Sequence, residues 1–145
     1  MKKLLIVLSL LLISSKVYAL EINLSIIAEI ESSNNPLARG DCFKEVCRSL
    51  GLLQLQERVI REYNRYYKVH LRHLDALEPK IARKVASHYL NHEIPRLLKF
   101  YGIPDTLPNR LATYNAGIQR VRKGRIPAST KLYIKKYRLL KKKYV

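Results

Sequence analysis

The sequence predicts an all-α domain, and three observations carry that prediction. Apolar residues recur at three- and four-residue spacing in several stretches, while the alternation expected of half-buried strands is nearly absent. Five glycines and six prolines act as punctuation between those stretches. The chain has 145 residues, 48% of them hydrophobic, enough for one core, and no repeat or low-complexity linker divides it.

The elements follow in chain order. Ile22, Ile26, Ile27 and Ile30 mark a first helix that ends before Asn34-Asn35-Pro36, because the residue before a proline resists the helical region. A second helical stretch runs from about Leu52 through Leu55, Val59, Ile60, Tyr63 and Tyr67. Pro79 suits the first turn of a third helix carrying Ile81, Val85, Ala86, Tyr89 and Leu90. Pro95 kinks or divides that helix before Leu97, Leu98 and Tyr101, and Gly102 with Pro104 stops it. Thr106 and Pro108 read as the cap and first turn of a short helix through Leu111, Ala112 and Asn115. A final helix begins near Ser129 and buries Leu132, Tyr133, Tyr137 and Leu140, its other face being lysine and arginine. The expected architecture is one compact domain of five or six helices, residues 20–145.

Residues 1–19 read as a secretory signal peptide. Lys2 and Lys3 precede an apolar run from Leu4 to Ile13, and Val17-Tyr18-Ala19 offers small or short residues at a cleavage site after Ala19. The run falls short of the roughly 20 residues a membrane-spanning helix needs. An exported, periplasmic protein is therefore expected.

The chain carries 28 Lys+Arg against 11 Asp+Glu, a net charge of +17, which suggests a polyanionic partner. Lys2, Lys3 and Lys16 belong to the leader, which leaves +14. No acid follows Asp105, so the excess lies at the C-terminal end, where Lys141-Lys142-Lys143 closes an amphipathic helix. Export makes nucleic acid an unsuitable partner. Wall carboxylates and anionic membrane surfaces remain.

Glu31 is the first candidate for chemistry. A helix places it one turn beyond Ile27 and near Ala28, against an apolar wall that disfavours the charged carboxylate and suits a general acid near neutral pH. Alone, a glutamate at a helix end is more often a solvated surface residue.

Its company changes that balance. Glu31-Ser32-Ser33-Asn34-Asn35-Pro36-Leu37-Ala38 is followed by Gly51-Leu52-Leu53-Gln54, by Tyr114-Asn115-Ala116-Gly117, and by Pro127-Ala128-Ser129-Thr130 with Tyr133. In these residues and their order the chain resembles the soluble lytic transglycosylase domain family, related to goose-type lysozyme. The resemblance implies a lysozyme-like helical fold that cleaves the β-1,4 bond between N-acetylmuramic acid and N-acetylglucosamine in peptidoglycan. Glu31 matches the family's catalytic acid, which also acts as base toward the sugar's 6-hydroxyl and yields a 1,6-anhydro product without water. The resemblance further implies that Ser32 orients that carboxyl, that Gln54, Tyr114 and Asn115 meet the sugars, and that Tyr133 points toward the acid. No cofactor or metal is implied. Small enzymes of this kind open the wall locally for secretion or conjugation machinery, so an envelope-spanning complex is a second expected partner beside the glycan strands.

The sequence departs from the family pattern in places. Leu53 stands where methionine is usual and Thr113 where alanine is, and the interval from Glu31 to Gly51 is several residues long. The extra segment carries Asp41, Cys42, Glu45 and Cys47. A carboxylate there able to hold a water would turn the outcome to hydrolysis, making the protein a muramidase. Cys42 and Cys47 pair in an oxidising compartment, and since positions five apart on a helix are too distant to bridge, the insertion is expected to be a turn or small hairpin. His88 and His92 lack the His-Glu-x-x-His order and read as solvated or helix-packing histidines. The remaining alternative is a non-catalytic basic protein that binds the wall or a membrane surface.

Overall fold

A computed structural model describes residues 20–144; the expected leader lies outside the described residues. The chain runs through α1 (Leu24–Ser32), strands β1 (Arg39–Phe43), β2 (Val46–Leu50) and β3 (Leu55–Gln56), then α2 (Glu57–Tyr67), a 3₁₀ turn (His73–Leu77) and α3 (Pro79–His88). A π-helical turn (Tyr89–Glu93), α4 (Ile94–Phe100), α5 (Leu107–Ala116), α6 (Ile118–Arg122) and α7 (Ala128–Lys143) complete it. The lysozyme-like, mostly helical single domain is as expected, with a small antiparallel sheet of order β1-β2-β3 whose first two strands lie between Glu31 and Gly51.

Local chemistry sets the ends of α1. Asn23 caps its start, Oδ1 accepting from the Ser25 and Ile26 amides at 2.9 and 3.4 Å. Two left-handed residues, Ser33 (φ 52°) and Asn34 (φ 63°), end it, returning their amides to the Glu29 and Ala28 carbonyls. Glu31 therefore occupies the last turn of a short, firmly terminated helix. Ile26, Ile27 and Ala28 on the same helix are fully buried, which anchors it in the core.

The second helix starts later than the apolar spacing predicts. Gly51 at φ 77° and Gln54 at φ 47° turn the backbone, so Leu52, Leu53 and Leu55 are buried from a turn and a short strand, and α2 begins only at Glu57. A Cβ at Gly51 would collide with the Ala76 carbonyl oxygen. That glycine thus serves close packing of main chain against main chain.

Pro95 divides the third helix through a change of register. In the π turn the Ile94 amide bonds Tyr89 O, and the next donor in that register, the N–H of residue 95, does not exist in proline. Arg110 of α5 takes its place, with Nη1 3.3 Å from Leu90 O. The same guanidinium holds both oxygens of Asp105 at 2.6 and 2.8 Å. Arg110 so binds α5 to the α3–α4 junction, and the loop carboxylate of Asp105 is held below its usual range by that pairing.

The core joins Ile26, Ile27, Leu53, Leu55, Ile60, Val85, Leu90, Ile94, Leu98, Leu111 and Tyr137, all nearly inaccessible. Helix α7 packs on α1 and α5. Its buried line is Thr130, Tyr133 and Tyr137, with Leu140 half-buried. Leu132 corrects the sequence reading: it is 65% exposed, because the helix is rotated so that Thr130 takes the inward place.

Candidate active site

The insertion forms the hairpin β1-β2, in which Cys42 pairs with Cys47 and Phe43 with Val46. The two cysteines are disulfide-bonded, as the sequence led one to expect. Lys44 and Glu45 make the turn with φ of 44° and 66°, a conformation that asparagine and glycine adopt far more readily. The cross-link beside the turn offsets that strain. Asp41, at φ 52°, stands between the Gly40–Ser49 and Cys42–Cys47 pairs.

A cleft of about 210 Å³ lies between this hairpin, the start of α2 and the end of α5. Glu31, Asp41, Gln54, Arg58, Tyr89, Tyr114 and Asn115 are among the residues lining it. Burial pushes the Glu31 carboxyl from 4.5 up to about 7, the Tyr133 hydroxyl draws it partly back, and the Asp41 charge adds to the rise. A carboxyl so raised keeps its proton far closer to neutral pH than an ordinary glutamate does. Tyr133 Oη is buried without a hydrogen bond of ordinary geometry, so its influence on Glu31 comes from close approach rather than from a fully formed bond. Burial and the same carboxyl push the Tyr133 phenol well above its ordinary value.

Each residue singled out from the sequence has a definite place. Gln54 faces the cleft, with Nε2 donating to Gly51 O at 3.0 Å, while its carbonyl oxygen packs where a Cβ on Gly40 would stand. Tyr114 also lines the cleft and is raised by burial and by Glu31, but its proton goes to Leu53 O at 2.6 Å. Asn115 is exposed at the rim, and its Oδ1 accepts from the buried Thr130 hydroxyl at 2.7 Å. Ser32 and Tyr133 stand behind the acid rather than in the cleft. The single Ser32 proton is shared between Leu52 O at 2.8 Å and Ala28 O at 3.1 Å, so it ties α1 to the Gly51–Gln54 turn instead of holding the carboxyl.

Tyr89 and Arg58 were not visible from the sequence as cleft residues. Tyr89 reads as one more apolar position on α3, and in the structure its ring lies beside that of Tyr114, the centres 6.0 Å apart. Arg58 lies in the first turn of an amphipathic helix and is indistinguishable there from its solvated neighbours. His88 packs edge-on against Tyr63 at 5.5 Å and stacks on His92 at 5.2 Å, away from the cleft, and burial with the neighbouring His92 lowers its pKa.

A carboxyl raised to about 7 beside an open polar groove meets the chemical requirement for a general acid near neutral pH. The family described as Transglycosylase SLT domain matches residues 14–135, and the chain belongs to it. Its members act on peptidoglycan as lytic transglycosylases. No curated protein and no solved structure matches the chain.

Proposed function

We propose that this protein is a periplasmic lytic transglycosylase that cuts the β-1,4 bond from N-acetylmuramic acid to N-acetylglucosamine, with Glu31 as the one acid and base. The observation that carries the reading is the raised Glu31 carboxyl in the amide-lined cleft. Protonated Glu31 gives its proton to the bridging oxygen as the C1–O bond breaks, leaving positive charge on the muramic ring. The resulting carboxylate takes the proton of the 6-hydroxyl, O6 closes on C1, and Glu31 is protonated again. Gln54 and Asn115 bring amide donors and acceptors to the groove, suited to acetamido groups, and Tyr133 steadies the carboxylate between the two proton transfers.

Hydrolysis is the second reading, and Asp41 is the observation in its favour. A second carboxylate lines the same cleft, and a water it activates could attack C1 in place of O6. Digestion of purified sacculi followed by mass spectrometry separates the outcomes. Anhydro-muropeptides that vanish with Glu31→Gln are expected. Reducing-end products would identify a muramidase, and no products would leave a wall-binding protein. The leader-like residues 1–19 support the periplasmic setting, tested by the N-terminus of the exported protein. Local wall opening for a secretion or conjugation complex rests on the family resemblance, and co-purification from envelopes that recovers no such component would count against it.

A further inference from the structure

Helix α7 presents two opposite faces with different chemistry. Its inner face buries Thr130, Tyr133 and Tyr137 and so forms the back wall of the Glu31 site. Its outer face has no partner among the described residues. Leu132 and Leu139 are 65% and 53% exposed there. Seven residues apart on a helix, they project within about 20° of each other and about 10 Å apart along the axis. Lys131, Lys135, Arg138 and Lys142 run along one side of that line, and Lys136 and Lys143 along the other. No acid lies on this helix or anywhere after Asp105. At the end of the chain the Tyr144 hydroxyl donates to Glu29 at 3.0 Å, and Glu21 lies close enough to Tyr137 on the inner face to act on it.

We propose that the outer face of α7, with the Leu132–Leu139 line between two rows of cations, docks this protein on an anionic phospholipid surface. Charge complementarity selects a polyanion, and the leucines select among polyanions. Wall glycans with their peptide carboxylates would engage the lysines and leave both leucines in water. A lipid interface takes both: phosphates meet the ammonium groups while the leucines enter the boundary of head groups and acyl chains, the lysine stems lying along it. None of the residues lining the cleft lies on α7, so docking by this face leaves the cleft open. The proposal does not depend on the reaction Glu31 performs.

The test is co-sedimentation of the chain from Leu20 onward, whose core from Ile22 to Tyr137 lies wholly inside it, with vesicles of equal parts phosphatidylglycerol and phosphatidylcholine. At about 0.15 M salt it binds these vesicles and leaves pure phosphatidylcholine unbound. Leu132→Ser with Leu139→Ser weakens binding on the order of ten-fold with every charge retained. Lys135→Gln with Lys142→Gln weakens it about 25-fold, near five-fold per lost charge. Both variants keep the parent thermal midpoint, since all four side chains are exposed. Absence of binding to the anionic vesicles overturns the proposal, as does equal binding to neutral ones. Loss with the lysine pair but none with the leucine pair also overturns it, and assigns the face to wall carboxylates or an acidic protein.

Discussion

The Ser32 hydroxyl donates to the Leu52 carbonyl oxygen at 2.8 Å, twenty residues on, and so joins the end of the acid-bearing helix to the turn that presents Gln54. Tyr114 donates to the next carbonyl, Leu53 O, at 2.6 Å. Two side chains from separate helices thus hold one turn against the acid. Ser32→Ala leaves a part-buried carbonyl without its donor and is expected to cost about 1–2 kcal/mol of stability. Because the turn carries Gln54, KM for glycan rises several-fold as well. Chemical denaturation and steady-state turnover check both effects; a stability loss with unchanged KM would make Ser32 purely structural.

The raised Glu31 carboxyl opposes folding. A group whose pKa is 4.5 when unfolded and about 7 when folded binds its proton more tightly in the native state, so stability falls as pH rises through that window. At about 1.4 kcal/mol per unit, the full penalty above pH 7 approaches about 3.5 kcal/mol, less whatever solvent reaches the group. Glu31→Gln is therefore expected to remove at least about 10³-fold of the activity while raising stability by about 2–3 kcal/mol at pH 8 and hardly at all at pH 4.5. Urea titrations of both proteins at the two pH values supply the check. A gain equal at both would trace to packing, not charge.

How legible this molecule was in its sequence depended on whether a feature was local. Helix periodicity, the Asn34-Asn35-Pro36 stop, Pro79 and the Thr106 cap act over a few residues, and each lies where it was expected. Leu52 misled because burial from a turn and burial from a helix look alike in a short apolar run, and only Gly51 hinted at the turn. Leu132 misled because the facing of α7 is decided by its neighbours: Tyr137 Oη accepts from the Asn23 amide at 2.8 Å and Thr130 donates to Asn115, which fixes the rotation. In the site, Glu31, Gln54, Tyr114 and Asn115 stand in motifs and do line one cleft, whereas Ser32 and Tyr133 stand behind it. Tyr89 lines the cleft beside Tyr114, twenty-five residues on, a pairing no short window contains.

Tyr133 and Asp41 pull the Glu31 carboxyl in opposite directions, Tyr133 lowering its pKa and Asp41 raising it. The alkaline limb of activity, where the acid loses its proton, is expected near pH 7 in the parent protein. Tyr133→Phe moves that limb to higher pH, and Asp41→Asn moves it lower. Tyr133→Phe also removes a buried hydroxyl that lacks a proper partner, so at low pH, where Glu31 keeps its proton, stability holds or rises slightly, whereas above pH 7 the further rise in the Glu31 pKa lowers it. Profiles of kcat/KM against pH for the three proteins decide the matter, and shifts in the same direction would contradict the geometry.

The hairpin that carries Asp41 is strained at its tip and closed by one cross-link. Lys44 and Glu45 both hold positive φ, and the chain between Cys42 and Cys47 is short, so the disulfide limits the unfolded chain by about 2 kcal/mol on the entropy account. Opening it with a reductant, or by Cys42→Ser with Cys47→Ser, frees the turn to abandon its left-handed residues. Core packing changes little, because Cys42 is exposed and Cys47 is only half-buried against the edge of the core. The protein is expected to stay folded, lose about 2 kcal/mol or less, and let Asp41 swing from the cleft. The alkaline limb of activity then shifts to lower pH, as it does for Asp41→Asn. Combining reduction with Asp41→Asn tests this: the two shifts should not add, since both remove the same charge from the same cleft. Additive shifts would mean that the cross-link acts on Glu31 by another route.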